Sequence, residues 1–181
     1  MKGNIPIIKG PGGNRIAHHV HRIVRIGMTV SKIISGAQTG VDRAALDAAL
    51  ELGIPHGGWV PKGRNAEDGI IPEKYKMMEM PTEHYAGRTE RNILDSDGTL
   101  IISRGVLSEG SDLTRYLAIK HARPWLHTDL HRISPTEAAM TIRVWLKSQG
   151  ISVLNVAGPR ASKDPGIYRL TKDILKRVIK E

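Results

Sequence analysis

The sequence predicts a three-layer α/β domain, a parallel sheet of about five strands with helices on both faces. Three observations predict it. From Met28 onward, short apolar runs alternate with longer runs whose apolar residues recur every three or four positions, the rhythm of strand and amphipathic helix. The chain contains no Phe, so Ile, Leu, Val and Ala must fill the core, a palette suited to parallel strands buried on both faces. Glycine-rich turns stand where strand would hand over to helix. At 181 residues the chain is long enough for one substantial core and short for two.

The elements follow in order. Residues 1–27 contain Gly3, Pro6, Gly10, Pro11, Gly12 and Gly13 and read as a basic, poorly ordered extension, with the domain itself over 28–181. A short apolar strand over 32–35 ends in Gly36-Ala-Gln-Thr-Gly40. A helix then runs through Leu52, with Val41, Ala44, Ala45, Ala48 and Leu52 on one face, and Gly53 stops it. A second strand is expected over 56–60. Residues 61–98 are the least regular, with short helices expected near 73–78 and 89–95. A third strand over 99–103 leads through a loop to a helix over 112–122, and a fourth strand is expected at 124–127. Ser134-Pro-Thr-Glu137 is a capping box with proline at the first helical position, opening a helix to Gln149. A fifth strand over 152–156 precedes a last helix that buries Ile167, Leu170, Ile174, Leu175 and Val178.

Composition excludes several classes. With no cysteine there are no disulfides, thiolate metal sites or cysteine nucleophiles, and no apolar run reaches membrane-span length, so a cytoplasmic protein is expected. The net charge of +9 suggests nucleic acid, but five of the 27 basic residues, and no acid, fall within 1–27. The rest carries 22 basic against 18 acidic residues, an ordinary surplus for a protein that binds small anions rather than nucleic acid.

In open α/β sheets ligands bind beyond the carboxyl ends of the strands, where helix N-termini attract anions. Three loops would lie there. In the first, Gly36, Ala37 and Gly40 let backbone amides approach a phosphate, Gln38 and Thr39 add donors, and Asp42 and Arg43 follow. It is neither a Walker loop nor the dinucleotide fingerprint. The second offers Ser108, Gly110, Ser111 and Thr114 at a helix start, where capping by Ser111 or Asp112 is the plainer role. The third carries Gly158, Arg160 and Lys163, a fork and a point charge suited to phosphate. Trp59 beside Lys62 and Arg64 could stack on a ring, or fill core, while Arg88, Thr89 and Arg91 could form a pocket wall. His127 and His131, with Asp129 between them, lack a third zinc ligand and read as surface or capping residues.

At these loops residues 31–181 resemble the putative molybdenum carrier family, the circularly permuted YpsA branch of the SLOG superfamily, related to the lysine-decarboxylase-like (LOG-related) proteins. The matching stretches are Ile33-Ile-Ser-Gly-Ala-Gln-Thr-Gly-Val-Asp-Arg-Ala-Ala-Leu-Asp47, Gly57-Gly-Trp-Val-Pro-Lys-Gly-Arg64, Glu67-Asp-Gly69, Arg88-Thr-Glu-Arg-Asn92, Asp95-Ser-Asp-Gly-Thr-Leu-Ile101 and Asn155-Val-Ala-Gly-Pro-Arg160. The resemblance implies a Rossmann-like fold that binds a nucleotide-like or phosphorylated ligand, molybdenum cofactor among them, often as a homo-oligomer. One departure is Glu109-Gly110-Ser111 where the family usually has Gly-Gly-Thr. A further comparison concerns the related cytokinin-activating phosphoribohydrolases, whose glutamate in this loop corresponds to Thr114, so a hydrolysis that needs that carboxylate is not expected.

The favoured reading is therefore a binding protein, a carrier or sensor that holds a small phosphorylated ligand through Arg160 and the loop amides. The alternative is a nucleotide-processing hydrolase or transferase, with Glu67, Asp68, Asp95 or Glu109 as working carboxylates and magnesium as cofactor. Nucleic-acid binding is the third.

Overall fold

The computed structural model describes residues 30–107 and 109–180; the expected N-terminal extension, Ser108 and the side chain of Glu109 lie outside what it describes. Its centre is a five-stranded, wholly parallel sheet in the order β2-β1-β9-β7-β8. The strands are β1 (Lys32–Ile34), β2 (His56–Gly57), β7 (Gly98–Ser103), β8 (Trp125–Asp129) and β9 (Val153–Ala157). The last strand in sequence thus sits in the middle, pairing Leu154 with both Ile33 and Gly98. That insertion brings the loops after β1, β7 and β9 side by side.

Five helices cover the sheet: α1 (Val41–Leu52), α2 (Tyr85–Leu94), α3 (Glu109–Lys120), α4 (Pro135–Gln149) and α5 (Ile167–Lys180). Along β7 the side chains alternate, as strand geometry requires. Leu100 and Ile102 pack into the main core with Ala45 and Ala48 of α1, Ile142 of α4 and Ile174 of α5. On the opposite face Ile93 of α2 packs with Leu117 and Ala118 of α3. Small alanines let α1 lie close to α5. The capping box forms as expected, Ser134 Oγ accepting from Glu137 N while the Glu137 carboxylate accepts from Ser134 N. Gly53 ends α1 in the left-handed region, with φ 67°.

The structure departs from expectation in four places. The strand expected over 56–60 is two, because Gly58 takes φ 124° and turns the chain. His56–Gly57 joins the main sheet, whereas β3 (Trp59–Val60) pairs in parallel with β6 (Met78–Glu79) outside it. No helix forms over 73–78. The Arg64 guanidinium instead donates to the carbonyls of Ile71, Pro72 and Tyr75 and holds the chain there in an irregular course. The helix expected at 89–95 starts earlier, at Tyr85, and the one expected at 112–122 is α3 at 109–120. Short strands β4 (Asn65–Ala66) and β5 (Gly69–Ile70) form an antiparallel pair in the loop above α1.

Candidate functional site

A cavity of about 460 Å³ opens at the carboxyl ends of β1, β7 and β9, between α2 and α3. This is the size range of small-molecule sites. The three loops singled out in the sequence all reach it. Gly36, Gln38 and Asp42 line it from the first, Gly110, Ser111 and Thr114 from the second, and Gly158, Arg160 and Lys163 from the third, with Thr89 on α2. Gly158 is required by packing: a Cβ there would press into the Ile102 carbonyl and stand 2.5 Å from Val41 Cγ2.

Four cationic side chains (Arg88, Arg104, Arg160 and Lys163) and two carboxylates (Asp42 and Asp164) line the cavity, leaving it net positive by two. Asp42 is 5% exposed. It accepts from Gln38 N at 3.2 Å and faces Arg88 Nη1 at 3.5 Å. Burial pushes its carboxyl above the usual range, against the opposing pull of Arg88 and the Gln38 amide. Arg88 lies directly over Gly36, and its Nε is buried without a hydrogen-bond acceptor. Asp164 accepts from Arg104 Nε at 2.8 Å and from Gly166 N, so it closes the start of α5; the Arg104 contact holds its carboxyl below the usual range.

Seven expected site residues lie away from the cavity, each for a visible reason. Arg43 forks onto Asp68 at 3.0 Å and donates to Ala37 O, so it braces the 61–70 loop. Ala37 is buried against Leu46 and Val60. Gly40 lies against the Pro159 and Arg160 backbone. The Thr39 hydroxyl donates to Glu67 and accepts from Ala161 N. Glu67 also takes the Ser162 amide and hydroxyl, and its own N–H donates to Gln38 Oε1, which accepts from Thr39 N as well. These contacts clasp three loops together. Trp59 donates from Nε1 to Asp95 at 2.7 Å and lies under Arg91, which places its ring outside the cavity. Lys62 is exposed on a short 3-10 turn, and Arg64 is spent on the carbonyls described above.

Of the carboxylates considered for catalysis, the three whose side chains are described are likewise occupied, and Glu109 lies outside the described side chains. Glu67 and Asp68 serve the loop clasp, and Asp95 pairs with Trp59 and Arg91. Asp112 pairs with Arg115 on its own helix. Among the described residues no group of three His, Cys, Asp or Glu side chains is placed to hold a metal ion. The Thr114 hydroxyl lies at the cavity and donates to Gly110 O at 2.8 Å.

Sequence reasoning missed Arg104, Asp164, Asn155 and Ser103 as cavity residues. Asn155 is buried in β9 and donates to Thr99 Oγ1 across the strand pair. Asn92, also at the wall, holds β3 by accepting from Trp59 N at 2.7 Å and donating to Trp59 O at 3.2 Å. A polar residue inside an apolar strand, such as Asn155 or Ser103, was the available signal.

Comparison with known proteins agrees with this architecture. The model of the family described as "Circularly permutated YpsA SLOG family" matches residues 33–179. The crystal structure of a protein named "Putative molybdenum carrier protein", from Syntrophus aciditrophicus SB, is 58% identical. The match covers 83% of this chain and 96% of that one, with a TM-score of 0.82. A structure of (E)-4-hydroxy-3-methyl-but-2-enyl diphosphate reductase is 11% identical over 80% of this chain and 58% of its own, and its TM-score of 0.33 carries no argument. No curated protein matches the chain. With the family model spanning both flanks of the cavity and nearly the whole sheet, the chain belongs to the circularly permutated YpsA SLOG family.

Proposed function

We propose that the chain is a binding protein that holds the phosphate-bearing end of a small heterocyclic compound in this cavity. The observation that carries the reading is the charge of the wall: four cations against two carboxylates at the carboxyl edge of a parallel sheet. Arg160 and Lys163 on the third loop and the start of α3 would take the phosphate. Arg88 and Asp42 would meet the ring end, where a buried carboxylate and a guanidinium offer hydrogen bonds of both senses.

A molybdenum–pterin phosphate fits this donor set, as does a nucleotide. The chain has no cysteine, so any metal would be carried by sulfurs that the pterin itself supplies. The name of the Syntrophus aciditrophicus protein supports the carrier form of the reading. Among the described residues no helix is long and apolar enough to cross a membrane, which accords with a carrier acting in the cytoplasm.

Native mass spectrometry of freshly purified protein, with the released small molecules and molybdenum measured alongside, tests the reading and also counts the copies in the particle. A co-purifying pterin phosphate with molybdenum supports the carrier, whereas a nucleotide moves the reading to nucleotide sensing. Arg160→Ala should weaken inorganic phosphate binding at least about tenfold by calorimetry, the loss of one charge-assisted contact. Unchanged affinity removes that arginine from the site.

A further inference from the structure

We propose that Ser103 and His127 form a nucleophile–base pair that makes this cavity hydrolytic toward a bound phosphomonoester; the inference rests on the phosphate reading of the cavity. Ser103 ends β7, lines the cavity and is 5% exposed. Its Oγ stands 2.8 Å from His127 Nε2 on the neighbouring strand β8. His127 does not line that cavity. It opens instead on a separate depression bounded by Asp112, Arg115, Asp129 and Arg132. The hydrogen bond therefore joins the ligand cavity to a second, more open surface. That is the arrangement a proton must follow when it leaves a buried hydroxyl.

The second contact of Ser103 Oγ is with the Gly105 carbonyl at 3.0 Å, so rotation of the hydroxyl selects between carbonyl and imidazole. Burial lowers the affinity of His127 for a proton, Asp129 on the same strand opposes this and Arg132 reinforces it, and the ring is lowered on balance. A neutral imidazole is the form that can accept from serine. Asp129 itself is held by Gly105 N at 2.7 Å and His131 N at 2.9 Å, which fixes the loop carrying the Gly105 carbonyl.

In the reaction Ser103 Oγ attacks phosphorus, its proton passes to His127 Nε2, and the bond from phosphorus to the leaving oxygen breaks. The departing alkoxide takes its proton from water in the cavity, so an alcohol and a hydroxide result, phosphoserine remains, and the imidazolium keeps the serine proton. The hydroxide then attacks the phosphoserine from the side opposite Ser103, the bond from phosphorus to Oγ breaks, and His127 returns its proton to Oγ, releasing inorganic phosphate and restoring the serine. Arg104, next in sequence to Ser103 and also at the cavity, is placed to offset the charge that builds on the phosphoryl oxygens.

The test uses the full chain with a fluorophosphonate, which modifies only activated hydroxyls, and with 4-nitrophenyl phosphate as the phosphomonoester. Peptide mass mapping should find both reagents on Ser103, with release of 4-nitrophenol. Ser103→Ala should abolish labelling and release. His127→Gln and His127→Asn should slow both by about a hundredfold or more, the range of a lost general base. The labelling rate should rise with pH through a midpoint below the ordinary imidazole value of about 6.5. Absence of label on Ser103 in the folded wild type, or equal labelling in either His127 variant that melts with the wild type, overturns the pair. Calorimetry with inorganic phosphate separates the two readings. Phosphate binding without Ser103 chemistry refutes the pair and leaves the binding site standing, and loss of both refutes both.

Discussion

Gly158→Ala should destabilise the domain sharply while Gly110→Ala should not, although both glycines line the same cavity. At Gly158 the new methyl would press into the Ile102 carbonyl and stand 2.5 Å from Val41 Cγ2 and 2.9 Å from Val41 Cβ. Carbon atoms in good contact are about 3.5–4.0 Å apart, so the third loop must retreat by roughly 1 Å from α1 or from β7. Neither neighbour can swing aside. One is backbone in a central strand, and the other is a β-branched residue in the first turn of a helix. Overpacking of this kind costs about 1–3 kcal/mol, and the rigid neighbours argue for about 3. For a domain of this size that corresponds to a fall in Tm of roughly 6–12 °C. At Gly110 nothing lies within 4 Å of the built Cβ, and α3 would gain from alanine's helix propensity. Thermal and urea unfolding of the two variants against wild type provide the assay. A Gly158→Ala protein that melts with the wild type would falsify the packing argument, and a Gly110→Ala protein that loses as much would show that the cavity edge, not the close approach, sets the cost.

Other perturbations address the polar frame of the site. Asn92→Ala strips both backbone partners from Trp59 and should cost about 2 kcal/mol in urea unfolding, the penalty for orphaned buried amide groups; a change under about 0.5 would mean water replaces the side chain. Asp42 binds its proton more tightly folded than unfolded, so it favours the fold at low pH and loses that contribution as pH rises through its native value. Asp42→Asn should therefore gain stability relative to wild type as pH rises above the ordinary aspartate value of about 4; a difference that stays constant with pH contradicts the buried-carboxyl account. Glu67→Ala should loosen the clasp between the 61–70 loop and Thr39 and Ser162, read as faster proteolysis within 61–70 and unchanged cleavage elsewhere.

Much of this architecture was legible in the residues. Apolar periodicity located α1, α4 and α5, and the capping box and Gly53 marked helix ends, because these signals act within a turn or two of the chain. The three loops that meet at the cavity were legible too, since strand-to-helix connections of a parallel sheet emerge at one edge. Less legible was the stretch 61–98. Its structure depends on Arg64 capturing carbonyls up to 11 residues away and on Asn92 holding Trp59 from 33 away, and no local propensity encodes either.

The sequence by itself determined the α/β class, the covered sheet and the identity of the loops that meet at the cavity, through periodicity and glycine placement. Only the tertiary structure decided which side chains in those loops face the cavity. Thr39 and Arg43 turn away because Glu67 and Asp68 arrive from a loop that sequence order leaves far off. Asp164 meets Arg104 because β9 inserts between β1 and β7. The same strand pairing sets Ser103 beside His127, 24 residues apart, since β7 and β8 run parallel in a register fixed by their buried faces.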